Sequence, residues 1–163
     1  MKSGKALLAS AVFLFLAPGT VAGLIPFWIS RWQFNPPFFG LEPVRWFGVL
    51  LIVLAFPVLL ESFARFALEG LGTPAPVLPT QHLVVKGFYR YVRNPMYVAV
   101  VSIIVGQGLL LGSAALLLYA LVVWGAFFGF VLSYEEPKLH RTYGAEYEAY
   151  CGRVPRWIPR ITN

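Results

Sequence analysis

Aspartate is absent from this 163-residue chain, cysteine occurs once and histidine twice. A lone Cys151 cannot form an internal disulfide, and no CxxC or Cys/His cluster has the spacing of a metal site, so no metal is expected. Charge of either sign is scarce: Asp, Glu, Lys and Arg together make up 12% of residues, against about a quarter in a typical soluble domain. Hydrophobic residues reach 58%, aromatics 17%, and the mean hydropathy is +0.70. A soluble fold of this length could not bury so much apolar surface. These shortages lead to an all-α integral membrane protein forming one domain over 1–163.

The net charge of +6 comes from 13 Lys and Arg against seven Glu. The basic residues lie beside apolar runs, which fits anionic headgroups and membrane topology better than nucleic acid. Four spans are expected, at about 6–29, 44–68, 95–111 and 114–133. The first follows a short basic start, is too long for a signal core, is interrupted by Pro18-Gly19 and meets the far interface near Pro26, Trp28 and Trp32. Residues 30–43 form a turn-rich loop. In the second span Glu61 and Arg65 stand at i,i+4 and can pair on one face. That pair either anchors the helix end or serves a site.

Three closely spaced prolines between Glu69 and Gln81 favour an extended connector. Pro95 suits the first position of a helix. The apolar run from Tyr97 to Ser133 would reach about 55 Å as one helix. It must break, and Gly112-Ser113 is the best place. Gly106, Gly108, Gly112, Gly125 and Gly129 would supply small faces for helix packing. Beyond it, Leu139, Tyr143, Tyr147 and Tyr150 recur on one side of a helix, predicting a C-terminal amphipathic surface helix over 136–150. With four crossings both termini share a side. Ten Lys and Arg residues, from Lys2 and Lys5 to Arg156 and Arg160, then face Arg31 and Arg45 opposite, which places the termini and the loop 72–94 in the cytoplasm.

Two polar segments, His82–Tyr97 and Tyr134–Arg160, are thereby brought to one rim, where a pocket would suit one water-soluble and one membrane-borne reactant. The residues Gly87-x-Tyr89-Arg90-Tyr91-Val92-Arg93-Asn94-Pro95-Met96-Tyr97 make up the first half of a paired motif. Glu135-Glu136-x-x-Leu139-x-x-x-Tyr143-Gly144-x-x-Tyr147-x-x-Tyr150-x-x-x-Val154-Pro155 follows about 40 residues later. Together they resemble the isoprenylcysteine carboxyl methyltransferase family, which is related to the phospholipid N-methyltransferases. The resemblance runs from roughly Gly72 to Pro159.

It implies a membrane enzyme that moves a methyl group from S-adenosyl-L-methionine to a lipophilic acceptor, releasing S-adenosyl-L-homocysteine. By matching positions, His82, Leu83, Val84, Gly87, Tyr89, Arg93, Asn94, Pro95 and Tyr97 would line the cofactor site, and Glu135 and Glu136 would close it. Arg93, Glu135 and Glu136 are the implied catalytic set. Physical chemistry allows these roles. Gly87 could admit close backbone approach, Arg93 could bind a carboxylate, a glutamate could take an ammonium, and the Tyr89 and Tyr97 rings could face adenine or sulfonium. Asn94 can hydrogen-bond but cannot act as a base. A phospholipid N-methyltransferase is one alternative. A non-enzymatic scaffold that binds anionic lipid or a protein through the basic rim is another. A transporter has only Glu61, Arg65 and Gln107 as midspan polar candidates, which is thin for a translocation path.

Overall fold

A computed structural model describes residues 8, 11–69 and 82–160. The expected connector therefore falls mostly outside the described residues. Helix α1 covers Ala11–Ser30 and α2 covers Glu42–Leu68. Helices α3 (Pro95–Leu111) and α4 (Ala114–Phe130) form a hairpin, and short helices α5 (Glu136–Tyr143) and α6 (Ala145–Arg153) follow. No strand occurs among the described residues.

Among the described residues, three stretches are long and apolar enough to cross a membrane: Ala11–Ser30, Glu42–Phe66 and Ala114–Tyr143. The fourth expected span, Pro95–Leu111, is apolar but has 17 residues; at about 1.5 Å per residue it reaches about 26 Å, slightly less than a hydrocarbon core. Bulky side chains such as Trp46, Leu54, Leu118 and Leu121 point outward, uncovered by protein. In lipid such a surface is the ordinary condition of a spanning helix.

The hairpin forms where Gly112-Ser113 interrupts the apolar run. Ser113 caps α4 by accepting from the Leu116 N–H at 3.4 Å, and a side chain at Gly112 would collide with the Pro36 carbonyl. Arg45 closes the same end: its Nη1 donates to the Leu110 carbonyl at 2.6 Å and its Nη2 to the Asn35 carbonyl at 2.5 Å. The first satisfies a backbone oxygen that the end of α3 leaves without a helical partner, and the second ties the loop before α2 to the same place.

Helices α2 and α3 pack almost backbone to backbone. A Cβ on Gly48 would lie 2.6 Å from the Gly106 carbonyl oxygen, and one on Gly106 would lie 2.6 Å from Ile52 Cγ1. Gly108 similarly admits Leu117 of α4. Gly125 and Gly129 face open space instead, so only part of the expected glycine packing is used. The core between these helices holds Ala55, Leu59, Ala99, Ile103, Ile104 and Ala120.

The irregularity of α1 lies at Ala17 and in a π-helical stretch, Thr20–Leu24. It stands just before Pro26, which has no N–H to give the Ala22 carbonyl. Gln107 Nε2 supplies that donor at 2.7 Å, and the Tyr119 hydroxyl donates to the Val21 carbonyl at 2.9 Å. Gln107 Oε1 also accepts from Trp32 Nε1 at 3.2 Å. The glutamine thus braces α1 and the loop after it against α3 through both the nitrogen and the oxygen of its amide.

The C-terminal region departs from a single helix over 136–150. Helix α4 does not stop near Ser133 but continues through a π-helical turn, Val131–Glu135, into α5; the wider turn gives room for the Pro137 ring. The helix then breaks at Gly144, whose φ of 49° and ψ of −123° suit a residue without Cβ. Tyr147 and Tyr150 on α6 pack with Leu83, Val85 and Val154. The face expected to lie on the membrane surface is covered by the chain itself.

We expect Gly48→Ala to destabilise the protein by about 1–3 kcal/mol through overpacking against backbone. Gly125→Ala, which adds its methyl to open space, should be neutral or slightly stabilising. Thermal unfolding of both variants in detergent checks the contrast.

Candidate functional site

Residues 82–94 descend to the bundle in an extended stretch, a 3-10 turn over Gly87–Arg90 and the entry to α3 at Asn94-Pro95. Pro95 fits the start of α3 because its missing N–H would have no helical partner there. This segment meets the α4–α5 junction through side chains far apart in sequence. The Tyr97 hydroxyl donates to Glu135 Oε2 at 2.7 Å, and Arg93 Nη1 donates to Glu136 Oε1 at 3.0 Å. Arg156 grips the same carboxylate as a fork, Nε to Oε1 at 2.7 Å and Nη2 to Oε2 at 2.9 Å. Such paired donation is the strong geometry for Arg and carboxylate.

The tail after α6 lies across the motif segment. The Arg93 backbone N–H donates to the Pro155 carbonyl at 2.9 Å, and that of Arg160 to the Tyr91 carbonyl at 3.0 Å. Asn94 Nδ2 donates to the Arg156 carbonyl at 3.0 Å, and the Tyr150 hydroxyl to the Tyr89 carbonyl at 2.6 Å. Burial pushes the phenols of Tyr89, Tyr147 and Tyr150 upward from the ordinary tyrosine range. They therefore act as neutral hydrogen-bonding groups at physiological pH.

Tyr89, Arg93, Asn94, Tyr97 and Glu135 line a common cleft with Phe66 and Met96, with a volume of about 40 Å³. That holds no more than a small group of waters. The Phe66 and Tyr89 rings pack 5.5 Å apart on one wall, and Tyr97 and Phe127 pack at 4.6 Å.

The remaining expected site residues lie elsewhere. His82 is exposed, Leu83 packs with Tyr147 and Tyr150, and Val84 and Pro95 are buried. Gly87 is closed off by Glu61, since a Cβ there would collide with the carboxylate. Its side-chain space faces that carboxylate, and its φ of 61° also favours a residue without Cβ. Glu136 is taken up by its two arginines. Several participants were not among the expected site residues: Phe66, Met96, Tyr150, Cys151 and Arg156. Arg156 follows Val154-Pro155 directly, and that position in the paired motif was the available signal. Cys151, which has no cysteine partner in the chain, has its Sγ 2.8 Å from Arg93 Nη1.

The family model described as phospholipid methyltransferase matches residues 44–146, more than half of the chain. The chain belongs to the phospholipid methyltransferase family. It is also 41% identical over 80 residues to "Protein-S-isoprenylcysteine O-methyltransferase" of Schizosaccharomyces pombe, an alignment covering 48% of this chain and 34% of that protein. The chain thus spans about a third of the length of this curated relative. The match to a membrane methyltransferase family agrees with the resemblance carried by the two polar motifs and with the apolar helices that bracket them.

Tyr150→Phe keeps the ring but leaves the buried Tyr89 carbonyl without its donor. The expected loss is about 1–3 kcal/mol, measured as a fall in unfolding temperature, with helicity by circular dichroism unchanged.

Proposed function

We propose that this chain is a multi-pass membrane methyltransferase that uses S-adenosyl-L-methionine and methylates a lipophilic acceptor. In this reading residues 1–163 form one domain with four crossings, and both termini and the cleft face the cytoplasm, as the distribution of Lys and Arg favours. The observation that carries it is the meeting of Arg93 and Tyr97 with Glu136 and Glu135 across about 40 residues of intervening hairpin. A permanent cation, a carboxylate and two aromatic rings then share one cleft.

The donor set fits a zwitterionic cofactor. Arg93 Nε is buried and has no hydrogen-bond partner among the described residues, so it has a donor to offer a carboxylate. Glu135 would take the ammonium, and Tyr89 and Tyr97 would present ring faces to adenine or to the sulfonium. Glu136, already bound by Arg93 and Arg156, serves as the brace that keeps the Arg93 guanidinium in place. When bound, the cofactor supplies an electrophilic methyl group. The protein's part is to align the acceptor with it and to exclude water.

The acceptor class has two readings. A carboxylate acceptor, as in the name of the fission yeast relative, needs no base. An amine headgroup must lose a proton. Methyl esters release methanol in alkali whereas N-methyl groups do not, so alkaline treatment of labelled product distinguishes the two.

In detergent, the wild type should bind S-adenosyl-L-homocysteine saturably, and Arg93→Ala should weaken binding by about tenfold or more. Arg93→Lys, which keeps the charge and loses the fork, should fall between them. Absence of saturable binding by the wild type at millimolar ligand overturns the enzyme reading and leaves the scaffold reading.

A further inference from the structure

The Glu61–Arg65 pair takes no part in the methyl-transfer chemistry, yet it meets the motif segment directly. Arg65 Nε donates to Glu61 Oε1 at 2.7 Å, and its Nη1 pairs with Glu69. Exposed pairs of this kind contribute little by themselves. This one differs in what stands behind it. The Phe88 backbone N–H points at Glu61 Oε2 from 3.5 Å. Gly87 has a φ of 61°, and a Cβ on it would strike Glu61 Oε1 and lie 2.8 Å from Glu61 Cδ and 2.9 Å from Arg65 Nε. The carboxylate therefore fills the space where any other residue would carry its side chain.

The same face of α2 continues the contact. Ser62 on that face is fully buried, its hydroxyl donating to the Val58 carbonyl at 2.7 Å. Phe66, one turn on, packs its ring against Tyr89 at 5.5 Å and lines the cleft. An ion pair that only anchored a helix end would need none of these contacts.

We propose that Glu61, held by Arg65, is a positioning residue: it seats the Gly87–Arg90 turn on α2 and so aims Tyr89 into the cleft. Its link to ligand affinity rests on the cofactor-site reading above. Its link to the turn does not. Glu61 touches none of the reacting groups. It acts through the backbone of Gly87 and Phe88, whose position sets that of Tyr89 one residue later.

Hydrogen exchange by mass spectrometry on the full chain in detergent, with and without S-adenosyl-L-homocysteine, tests this. In Glu61→Ala the amides of 87–92 should exchange about tenfold faster while those of α3 and α4 stay unchanged. Glu61→Gln, which fills the same space and keeps one acceptor oxygen, for Phe88 or for Arg65 but not for both, should fall between wild type and Glu61→Ala. Affinity for S-adenosyl-L-homocysteine should follow the same order. Unchanged exchange at 87–92 in Glu61→Ala overturns the proposal. So does equal loosening in the two variants, because charge rather than a seated acceptor would then be responsible, and so does loosening spread evenly over the helices. If the wild type binds no S-adenosyl-L-homocysteine, the cofactor reading falls while the exchange of 87–92 still decides the positioning role.

Discussion

The Glu136 carboxylate, with 13% of its side chain exposed, takes hydrogen bonds from Arg93 and Arg156 and thereby ties together three separate parts of the chain. Arg93 belongs to the segment entering α3, Glu136 to the start of α5, and Arg156 to the tail. Removing Glu136 would leave the Arg93 guanidinium, with 12% of its side chain exposed, desolvated and without that partner, a loss of about 3–5 kcal/mol typical of a buried pair.

That cluster can exist only because the helices below it are set in register. In lipid there is little hydrophobic drive to join one apolar helix to another, so close packing and polar contacts decide the arrangement. The Gly48–Gly106 contact brings α2 against α3, and Arg45 and Gln107 satisfy carbonyls that helix ends and Pro26 leave open. The rim then inherits its geometry. Tyr97 reaches Glu135 across the α3–α4 hairpin, and the Glu61 face of α2 receives the Gly87–Arg90 turn.

Much of this was legible in the chain. The apolar runs, the turn at Gly112-Ser113, Pro95 at a helix start and the i,i+4 pairing of Glu61 with Arg65 are local properties, and local properties survive folding. The paired motifs pointed to the right family and to Arg93, Tyr97, Glu135 and Glu136 as one neighbourhood. The C-terminal helix was less legible. Its apolar face was real, but periodicity shows that a face is buried without naming what buries it, and Gly144 turns the chain so that Tyr147 and Tyr150 pack on Leu83 and Val85.

The sequence by itself determined an apolar helical chain with two polar segments of recognisable spacing, since length, hydropathy and turn residues act over a few neighbours. Only the tertiary structure decided which charged group meets which. Glu136 went to Arg93 and Arg156 rather than standing free, and Gly87 faced Glu61. Those choices depend on the rotation and offset of helices tens of residues apart, and single-residue chemistry carries no record of either.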